Sequence, residues 1–336
     1  MRLRTLLATL AAGALVGSTA LTAEPAEAST PPVLFGMISN WANGQEQVAH
    51  DDAEIGIHSG IIGAFFPWAA EVPTGPFTNW LSWVHSRGAV AMPSLSPPST
   101  VTLSQIASGT QDRYLRPLAI AMRDWGNQNK DANGLAAQVM FRLFPEMNGS
   151  WETYSPGTRG QTAYQFRLAW IHVVKLFRAN GASNVRFIWN PDRVFNSATP
   201  LKSLWPGASY VDWVGLDGYN WADRTHGTYY TYDLLHNSVT QLRSITSKPL
   251  IICELGSAPF SGKPYFLSHM IGGMQRLGAK GMVYFNENQE RKWRIDSSSS
   301  AISGARTGLH GSNAAWFGRE TAAQINHWAA SGGSFG

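Results

Sequence analysis

Eight short, continuous apolar runs recur along the chain, and segments with helical periodicity lie between them. Continuous apolar runs, unlike alternating ones, are typical of parallel strands that are covered on both faces. The clearest helical segment carries Phe166, Trp170 and Phe177 on one face and stops at Asn180-Gly181, a common C-terminal signal. The apolar runs predict strands over 33–39, 60–66, 88–94, 137–144, 184–189, 211–216, 249–253 and 281–286.

This alternation of strand and helix predicts an α/β fold, a single (β/α)8 TIM barrel, because no glycine-rich nucleotide signature accompanies it. An open, doubly wound sheet is the alternative architecture. The serine-rich stretch 297–303 is expected to be a flexible loop after the last strand. Further helices are predicted over 79–86, 111–125, 235–246, 264–277 and 314–330.

The chain begins with the features of an export signal. Arg2 and Arg4 precede an apolar stretch over 6–21, and Ala26-Glu27-Ala28 offers a cleavage site. The apolar stretch is interrupted by glycine and is too short for a permanent membrane span. We therefore expect a secreted protein without membrane attachment. Its predicted parts are a signal peptide over 1–28, a barrel domain over 29–331 and a flexible tail over 332–336.

Composition argues against several classes of function. The net charge is only +4 and no run of five or six basic residues occurs, so nucleic-acid binding has no support. The single cysteine, Cys253, lies in an apolar run, which favours a buried, inert thiol over a nucleophile. The histidines show no metal-ligand spacing such as His-Glu-x-x-His, so we expect neither a catalytic metal nor another cofactor.

Two glutamates directly follow predicted strands. Glu146 follows the fourth strand and Glu254 the seventh, and active sites of such barrels lie at the C-terminal ends of the strands. A retaining glycosidase needs one carboxylic acid to protonate the leaving oxygen and one carboxylate to attack the anomeric carbon, about 5–5.5 Å apart. Either glutamate alone could equally cap a helix or pair with a cation. Together they predict Glu146 as acid/base and Glu254 as nucleophile.

Other residues near the strand ends suit the same chemistry. Tyr219 can donate a hydrogen bond to Glu254, and Arg142, inside the fourth strand, can pair with Asp217 or a glutamate and keep the nucleophile charged. Flat tryptophan rings stack on the CH faces of sugars. The predicted substrate contacts are Trp68, Trp151, Trp221 and Trp293 as platforms, with Asn148, Asn190 and Asp217 as polar groups.

The sequence resembles glycoside hydrolase family 26 from about Gly36 to Asp296. The resemblance implies Glu146 as acid/base, Glu254 as nucleophile and Tyr219 as the nucleophile's hydrogen-bond partner. It also implies subsite roles for Trp151 and Trp293 and a glycone-side contact for Arg294. The segments that carry it are Arg142-Leu-Phe-Pro-Glu-Met-Asn-Gly-Ser-Trp151, Tyr210-Val-Asp-Trp-Val-Gly-Leu-Asp-Gly-Tyr-Asn220, Glu254-Leu-Gly256 and Trp293-Arg-Ile-Asp296.

One position departs from the family pattern. The residue before the acid/base is usually His in the family's mannanases, and here it is Pro145. Proline offers no side-chain donor and is expected to restrict Phe144 to an extended backbone. Because both carboxylates remain, the departure bears on which sugar is recognised rather than on the chemistry.

These features predict a secreted, monomeric, retaining endo-β-glycanase whose partner is a polysaccharide, with β-1,4-mannan as the first expected substrate. Mixed-linkage β-1,3-1,4-glucan and xylan are alternative substrates on the same scaffold. A barrel that binds carbohydrate without cleaving it is the alternative from another functional class, and a cysteine-dependent hydrolase is a third.

Overall fold

A computed structural model of the chain describes residues 31–38, 44–68, 74–194, 199–223, 226–311 and 313–336. The described residues belong to one compact unit, Pro31–Gly336. The predicted signal peptide over 1–28 lies outside the described residues. Within them, no helix is both long and apolar enough to cross a membrane.

Eight strands form the centre of the fold. They are β1 (Val33–Ile38), β2 (Ile61–Pro67), β3 (Val90–Ser96), β4 (Val139–Leu143), β5 (Val185–Trp189), β6 (Trp213–Asn220), β7 (Leu250–Ser257) and β8 (Ala279–Phe285). All neighbours pair in parallel, and β1 pairs with both β8 and β2, so the sheet closes on itself. The predicted single (β/α)8 barrel is therefore confirmed.

Helices surround the strands. They are α1 (Gly44–Ile55), α2 (Thr74–Ser86), α3 (Leu103–Ala107), α4 (Asp112–Gln128), α5 (Ala163–Ala179), α6 (Leu201–Leu204), α7 (Thr231–Ile245), α8 (Lys263–Leu277), α9 (Ser299–His310) and α10 (Ala322–Ser331). The longest helices begin or end at local signals. At α5, for example, Thr162 and Gln165 form a reciprocal capping box, which satisfies backbone donors at the start of the helix.

The alternation of side chains along each strand divides the apolar core into two layers. Leu34 and Ile38 of β1 point into the barrel, whereas Phe35 and Met37 pack outward against the helices. At the N-terminal end of the barrel, Trp213 meets Trp328 of α10 with ring centroids 4.7 Å apart. The interior is thus a packed core, and only the opposite end is left for a binding cleft.

Two sequence predictions near the C-terminus are wrong. The stretch 297–303, expected to be a loop, contains the start of α9, because Ser298 accepts a hydrogen bond from the backbone NH of Ala301 and so caps a helix. Of the predicted helix over 314–330, only the part from Ala322 is helical, since Ala314–Ala315 pairs with β1 as a short ninth strand. Whether the tail over 332–336 is flexible stays a prediction; its Phe335 stacks on Trp328.

Candidate active site

The two glutamates singled out in the sequence meet at the C-terminal end of the barrel. Glu254 lies within β7, which extends further than predicted, and Glu146 lies in the turn that leaves β4. One carboxylate oxygen of each, together with one of Asp217 in β6, lie within 4.8 Å of one another. The sheet register explains the placement of Asp217, which stands beside Glu254 on the neighbouring strand.

Arg142 links the buried carboxylates. Its guanidinium donates to Glu254 Oε1 and to Asp217 Oδ2, each at 2.6 Å, and to Asn190 Oδ1 and Ser94 Oγ, each at 3.0 Å. The side chain is fully buried. Burial opposes the charge on Arg142, but Asp217 and Glu254 raise the guanidinium pKa above its usual value. Arg142 therefore stays charged and supplies the counter-charge that the buried Glu254 carboxylate requires.

Glu254 has a second hydrogen-bond donor. The Tyr219 hydroxyl, on β6, donates to Glu254 Oε2. Burial, together with the negative charges of Glu254 and Glu146, raises the pKa of Tyr219 well above its usual value, so the phenol keeps its proton. Each oxygen of Glu254 thus accepts one strong hydrogen bond, and the carboxylate, which is only 4% exposed, is held in one orientation.

Glu146 lies in a different environment. It is half-buried at the cleft, and its Oε2 accepts a hydrogen bond of 2.6 Å from the Trp151 indole NH. Burial, and then the nearby charges of Asp192, Asp217 and Glu254, raise the pKa of Glu146 well above its usual value. Arg142 lies against one carboxyl of the pair, whereas burial and nearby negative charges favour the neutral form of the other. The two carboxyls therefore have the contrasting environments that a nucleophile and an acid/base require.

The backbone conformation of the turn that carries Glu146 differs from the one expected from the sequence. Phe144 was expected to be extended because it precedes proline, but its φ is +49°, and Glu146 has a φ of +54°. Left-handed backbone is costly for residues with side chains, and the surrounding structure must hold it in place. Tertiary contacts therefore override the local preference on both sides of Pro145.

An open cleft of about 510 Å³ lies over the pair. Its walls combine aromatic rings with charged groups: Glu146, Trp151, Asp192, Arg193, Tyr219, Trp221, His226, Gln289 and Glu290. Trp151 is 59% exposed and presents a large free face. Aromatic faces with a few placed polar groups suit the alternating CH and OH surfaces of a sugar ring.

Comparisons with known proteins agree with this geometry. The profile described as "Glycosyl hydrolase family 26" matches residues 102–266, which include Glu146, Tyr219 and Glu254. A curated relative, Endoglucanase H of Acetivibrio thermocellus, is 30% identical over 252 residues, or 69% of this chain. The chain belongs to glycosyl hydrolase family 26. The alignment spans only 27% of the endoglucanase's own length.

Solved structures of family 26 proteins share the fold. The catalytic domain of a Bacillus sp. JAMB-750 endo-β-1,4-mannanase superimposes with a TM-score of 0.66 at 17% identity, covering 89% of this chain and 90% of that one. A Bacillus subtilis mannanase gives a TM-score of 0.62 at 18% identity, covering 85% and 87%. At such identities the likeness concerns the barrel and not the substrate.

The four predicted tryptophan platforms divide into two pairs. Trp151 and Trp221 line the cleft of the family 26 barrel as expected. Trp68 is only 5% exposed and stacks on Phe144, and Trp293 is 1% exposed beneath Trp221 and Tyr219. Neither ring lines the cleft, and Trp68 lines a separate pocket of about 240 Å³, so the platform role of these two rings stays a prediction. Trp293 supports the residues that face the cleft.

The three polar side chains that the sequence predicted as sugar contacts form hydrogen bonds with other groups of the protein. Asn190 and Asp217 are fully buried: each is hydrogen-bonded to Arg142, and Asn190 also donates to Asp217. Asn148 exchanges two hydrogen bonds with the backbone of Asp192 and so ties the turn after β4 to the turn after β5. These side chains position the site's charged groups; the direct sugar contacts predicted for them are corrected accordingly.

Arg294, which the family resemblance assigns to the glycone side, lies after β8 and is half-buried. It donates to Asp296 and lies 3.5 Å from Asp51 of α1, so its charge is paired. Nearby, the ammonium of the buried Lys263 donates to the backbone carbonyls of Lys292, Trp293 and Arg294. Sequence patterns carried no signal for Lys263, because its partners are carbonyls of a distant loop.

Two groups of acidic side chains among the described residues have metal-ligand spacing: Glu146 with Asp217 and Glu254, and His50 with Asp51, Glu54 and Asp296. In each group an arginine already pairs with two of the carboxylates, Arg142 in the first and Arg294 in the second. Cys253 points into the barrel interior, where burial raises the pKa of its thiol well above the usual value. It is therefore not a nucleophile.

Arg193 and His226 line the cleft although no motif in the sequence marks them. Asp192 also lines the cleft. Its position in the exit of β5 marks it in the sequence, but a role in fixing the loop is equally open there, so it was not assigned to the site. Phe65 of β2 is 40% exposed, with the Arg142 guanidinium 5.7 Å from its ring centre. It lies within a strand, where an apolar side chain is normally assigned to the core.

Proposed function

We propose that this family 26 chain is a secreted, retaining endo-β-glycanase that hydrolyses internal bonds of a β-glycan. The observation that carries the proposal is the pair of carboxyls with opposite environments, Glu146 and Glu254, with oxygens within 4.8 Å of each other. Inverting enzymes hold their carboxyls about 6.5–9.5 Å apart to admit water between them, so the short separation supports double displacement. The open cleft, lined by Trp151 and Trp221, supports binding within a polymer.

In the proposed first step, Glu254 attacks the anomeric carbon while Glu146 gives its proton to the departing glycosidic oxygen. Arg142 and Tyr219 hold the Glu254 carboxylate and keep it ionised before the attack. In the second step, Glu146, now a carboxylate, removes a proton from water as the water attacks the glycosyl ester. The sugar leaves with the configuration that it had in the polymer.

For the substrate we propose β-1,4-mannan first, because the chain belongs to glycosyl hydrolase family 26 and that family includes mannanases. Mixed-linkage β-glucan is the second candidate, with two observations in its favour. The relative with 30% identity is an endoglucanase, and Pro145 stands where the family's mannanases usually have His. Xylan is a further alternative on the same scaffold.

A polysaccharide panel tests the proposal. Protein lacking residues 1–28 is incubated with mannan, galactomannan, barley β-glucan, xylan and laminarin, and released reducing ends and products are measured. We expect oligosaccharides from at least one polymer. NMR of the earliest product should show the β anomer; an α anomer would contradict double displacement. A protein that binds a glycan but cleaves none would instead be a carbohydrate-binding barrel.

Replacing Asp192 with Asn tests how the acid is tuned. Burial raises the pKa of Asp192 to about 7, and its negative charge above that pH raises the pKa of Glu146. Removing the charge lowers the pKa of Glu146, so the acid loses its proton at lower pH. We therefore expect the alkaline limb of the kcat/KM profile to move to lower pH.

Asp233→Asn makes the same charge change on the exposed surface of α7 and serves as the control. Its profile should coincide with that of the wild type. An alkaline limb that stays in place or moves upward in Asp192→Asn would show that Asp192 does not act on the acid.

We also propose that the mature chain begins near Ser29, is exported and acts as a monomer. The apolar segment and the Ala26-Glu27-Ala28 cleavage site support export. The mass of protein recovered from the culture medium tests the cleavage position, and light scattering tests the oligomeric state.

A further inference from the structure

The turn between β4 and the cleft is the most strained backbone near the site. Pro145 is flanked by Phe144 and Glu146, and both have left-handed φ angles of +49° and +54°. A proline also removes one backbone donor from the turn, so fewer hydrogen bonds are available to hold it. Since the Glu146 side chain projects from this turn, whatever holds the turn also aims the acid/base carboxyl.

Backbone bonds anchor the two ends of the turn to neighbouring strands. The Phe144 NH donates to the carbonyl oxygen of Leu95 in β3 at 3.0 Å. The Glu146 NH donates to the carbonyl oxygen of Asn190, just after β5, at 2.7 Å. The second bond holds the NH side of the peptide between Pro145 and Glu146. The carbonyl side of the same peptide, whose tilt affects the direction of the Glu146 side chain, is held by another group.

That group is the hydroxyl of Tyr154. It donates to the Pro145 carbonyl oxygen at 2.5 Å, and Ser96 Oγ lies 3.2 Å away on its other side. The ring is 1% exposed and packs against Phe144 with centroids 5.6 Å apart. Burial, and then the negative charge of Glu152, a further hydrogen-bond partner of the hydroxyl, raise the pKa of Tyr154 well above its usual value, which favours the protonated phenol.

We propose that Tyr154 is the positioning residue for the acid/base: its hydroxyl holds the Pro145 carbonyl and thereby directs the Glu146 carboxyl at the glycosidic oxygen. The inference rests on the proposed function and deepens it. Tyr154 does not touch the substrate, since the ring is buried behind the turn. It acts only through the peptide that precedes Glu146, and its loss should therefore weaken proton donation and leave nucleophilic attack intact.

The dependence of the rate on the leaving group distinguishes weakened proton donation from weakened nucleophilic attack. Cleavage of a polysaccharide bond needs a proton on the departing oxygen, whereas dinitrophenolate departs without one. The value of kcat/KM reports the steps up to formation of the glycosyl-enzyme, so later steps do not obscure it. The probes are the responsive polysaccharide of the panel and the 2,4-dinitrophenyl β-glycosides of mannobiose and cellobiose.

For Tyr154→Phe we expect kcat/KM on the polysaccharide to fall about tenfold, a part of the 10²–10⁴-fold that a general acid supplies. On the dinitrophenyl glycoside it should change less than twofold. Glu146→Ala is the reference variant: its kcat/KM on the polysaccharide should fall further than that of Tyr154→Phe, and its kcat/KM on the dinitrophenyl glycoside should fall much less. Tyr210→Phe, which precedes β6 at the opposite end of the barrel, is the matched control and should leave both values unchanged.

An equal fall on both probes, accompanied by a lower melting temperature, would mean that Tyr154 merely stabilises the fold, and would overturn the proposal. Unchanged kcat/KM on the polysaccharide would overturn it as well. If Tyr154→Phe does not fold, Ser96→Ala takes its place, because it removes the second partner of the hydroxyl and should give a weaker form of the same pattern. Should the wild type cleave neither probe, the proposed function itself would fail, which is a separate outcome.

Discussion

Glu254→Ala is expected to reduce kcat on the responsive β-glycan by about 10⁴- to 10⁶-fold, the range found when a nucleophile is removed. The physical reason is that the variant loses the proposed nucleophile, and the neighbouring carboxylate of Asp217 is fully buried and paired with Arg142. Arg142 and Asp217 remain paired in the variant, so the barrel should stay folded. Reducing-sugar release gives the rate, and thermal unfolding checks the fold.

Azide sharpens this test. With a 2,4-dinitrophenyl glycoside, azide can enter the space that the Glu254 carboxylate leaves and attack the anomeric carbon directly. We expect restored turnover and a glycosyl azide of inverted configuration. A product of retained configuration would assign the missing residue to the acid/base role instead. Glu46→Ala, on the exposed surface of α1, is the matched control and should keep wild-type activity.

Arg142→Met is expected to lower the free energy of unfolding by about 3–5 kcal/mol, the usual effect of removing one partner of a buried ion pair. Met replaces the aliphatic part of the arginine side chain but leaves the carboxylates of Asp217 and Glu254 without a counter-charge in a buried site. Chemical denaturation measures the loss. Activity should fall as well, because Glu254 Oε1 would lose the hydrogen bond that orients its carboxylate.

The pH dependence of the stability loss in Arg142→Met shows whether the loss comes from the missing charge. Protonation relieves two unpaired carboxylates, so the stability gap between wild type and variant should narrow as the pH falls. A gap that is constant with pH would point to lost packing rather than lost charge. Arg186→Met is the control: this half-buried arginine of β5 donates from Nε to Gln138, and its removal should cost about 1 kcal/mol.

Much of the site could be predicted because its signals are local. A strand that is covered on both faces must be apolar along its length, so the eight runs revealed the barrel, and the barrel has its site at one known end. Glu146 and Glu254 could then be found as the glutamates that follow the fourth and seventh predicted strands, and the family resemblance assigned them the two catalytic roles. The pairing of Arg142 was also anticipated, since an arginine inside an apolar strand requires a buried acidic partner.

The roles of the tryptophans could not be predicted in the same way. Trp68, Trp151, Trp221 and Trp293 all stand near strand ends, yet only Trp151 and Trp221 face the cleft. Which ring is covered depends on segments far away in the chain, such as Phe144 stacking on Trp68. Local sequence does not contain that information.

The sequence by itself determined the barrel, the pair of glutamates and the family to which the chain belongs, because each depends on residue type and order along single strands. The contacts of Arg142 and Tyr219 with Glu254 were also expected from the sequence. Only the tertiary structure decided what surrounds Glu146, where the charge of Asp192 acts on the carboxyl and the Tyr154 hydroxyl holds the turn. These contacts join strands and loops that are distant in the chain, and the pKa of a carboxyl depends on the charges and donors that such contacts bring within a few ångströms.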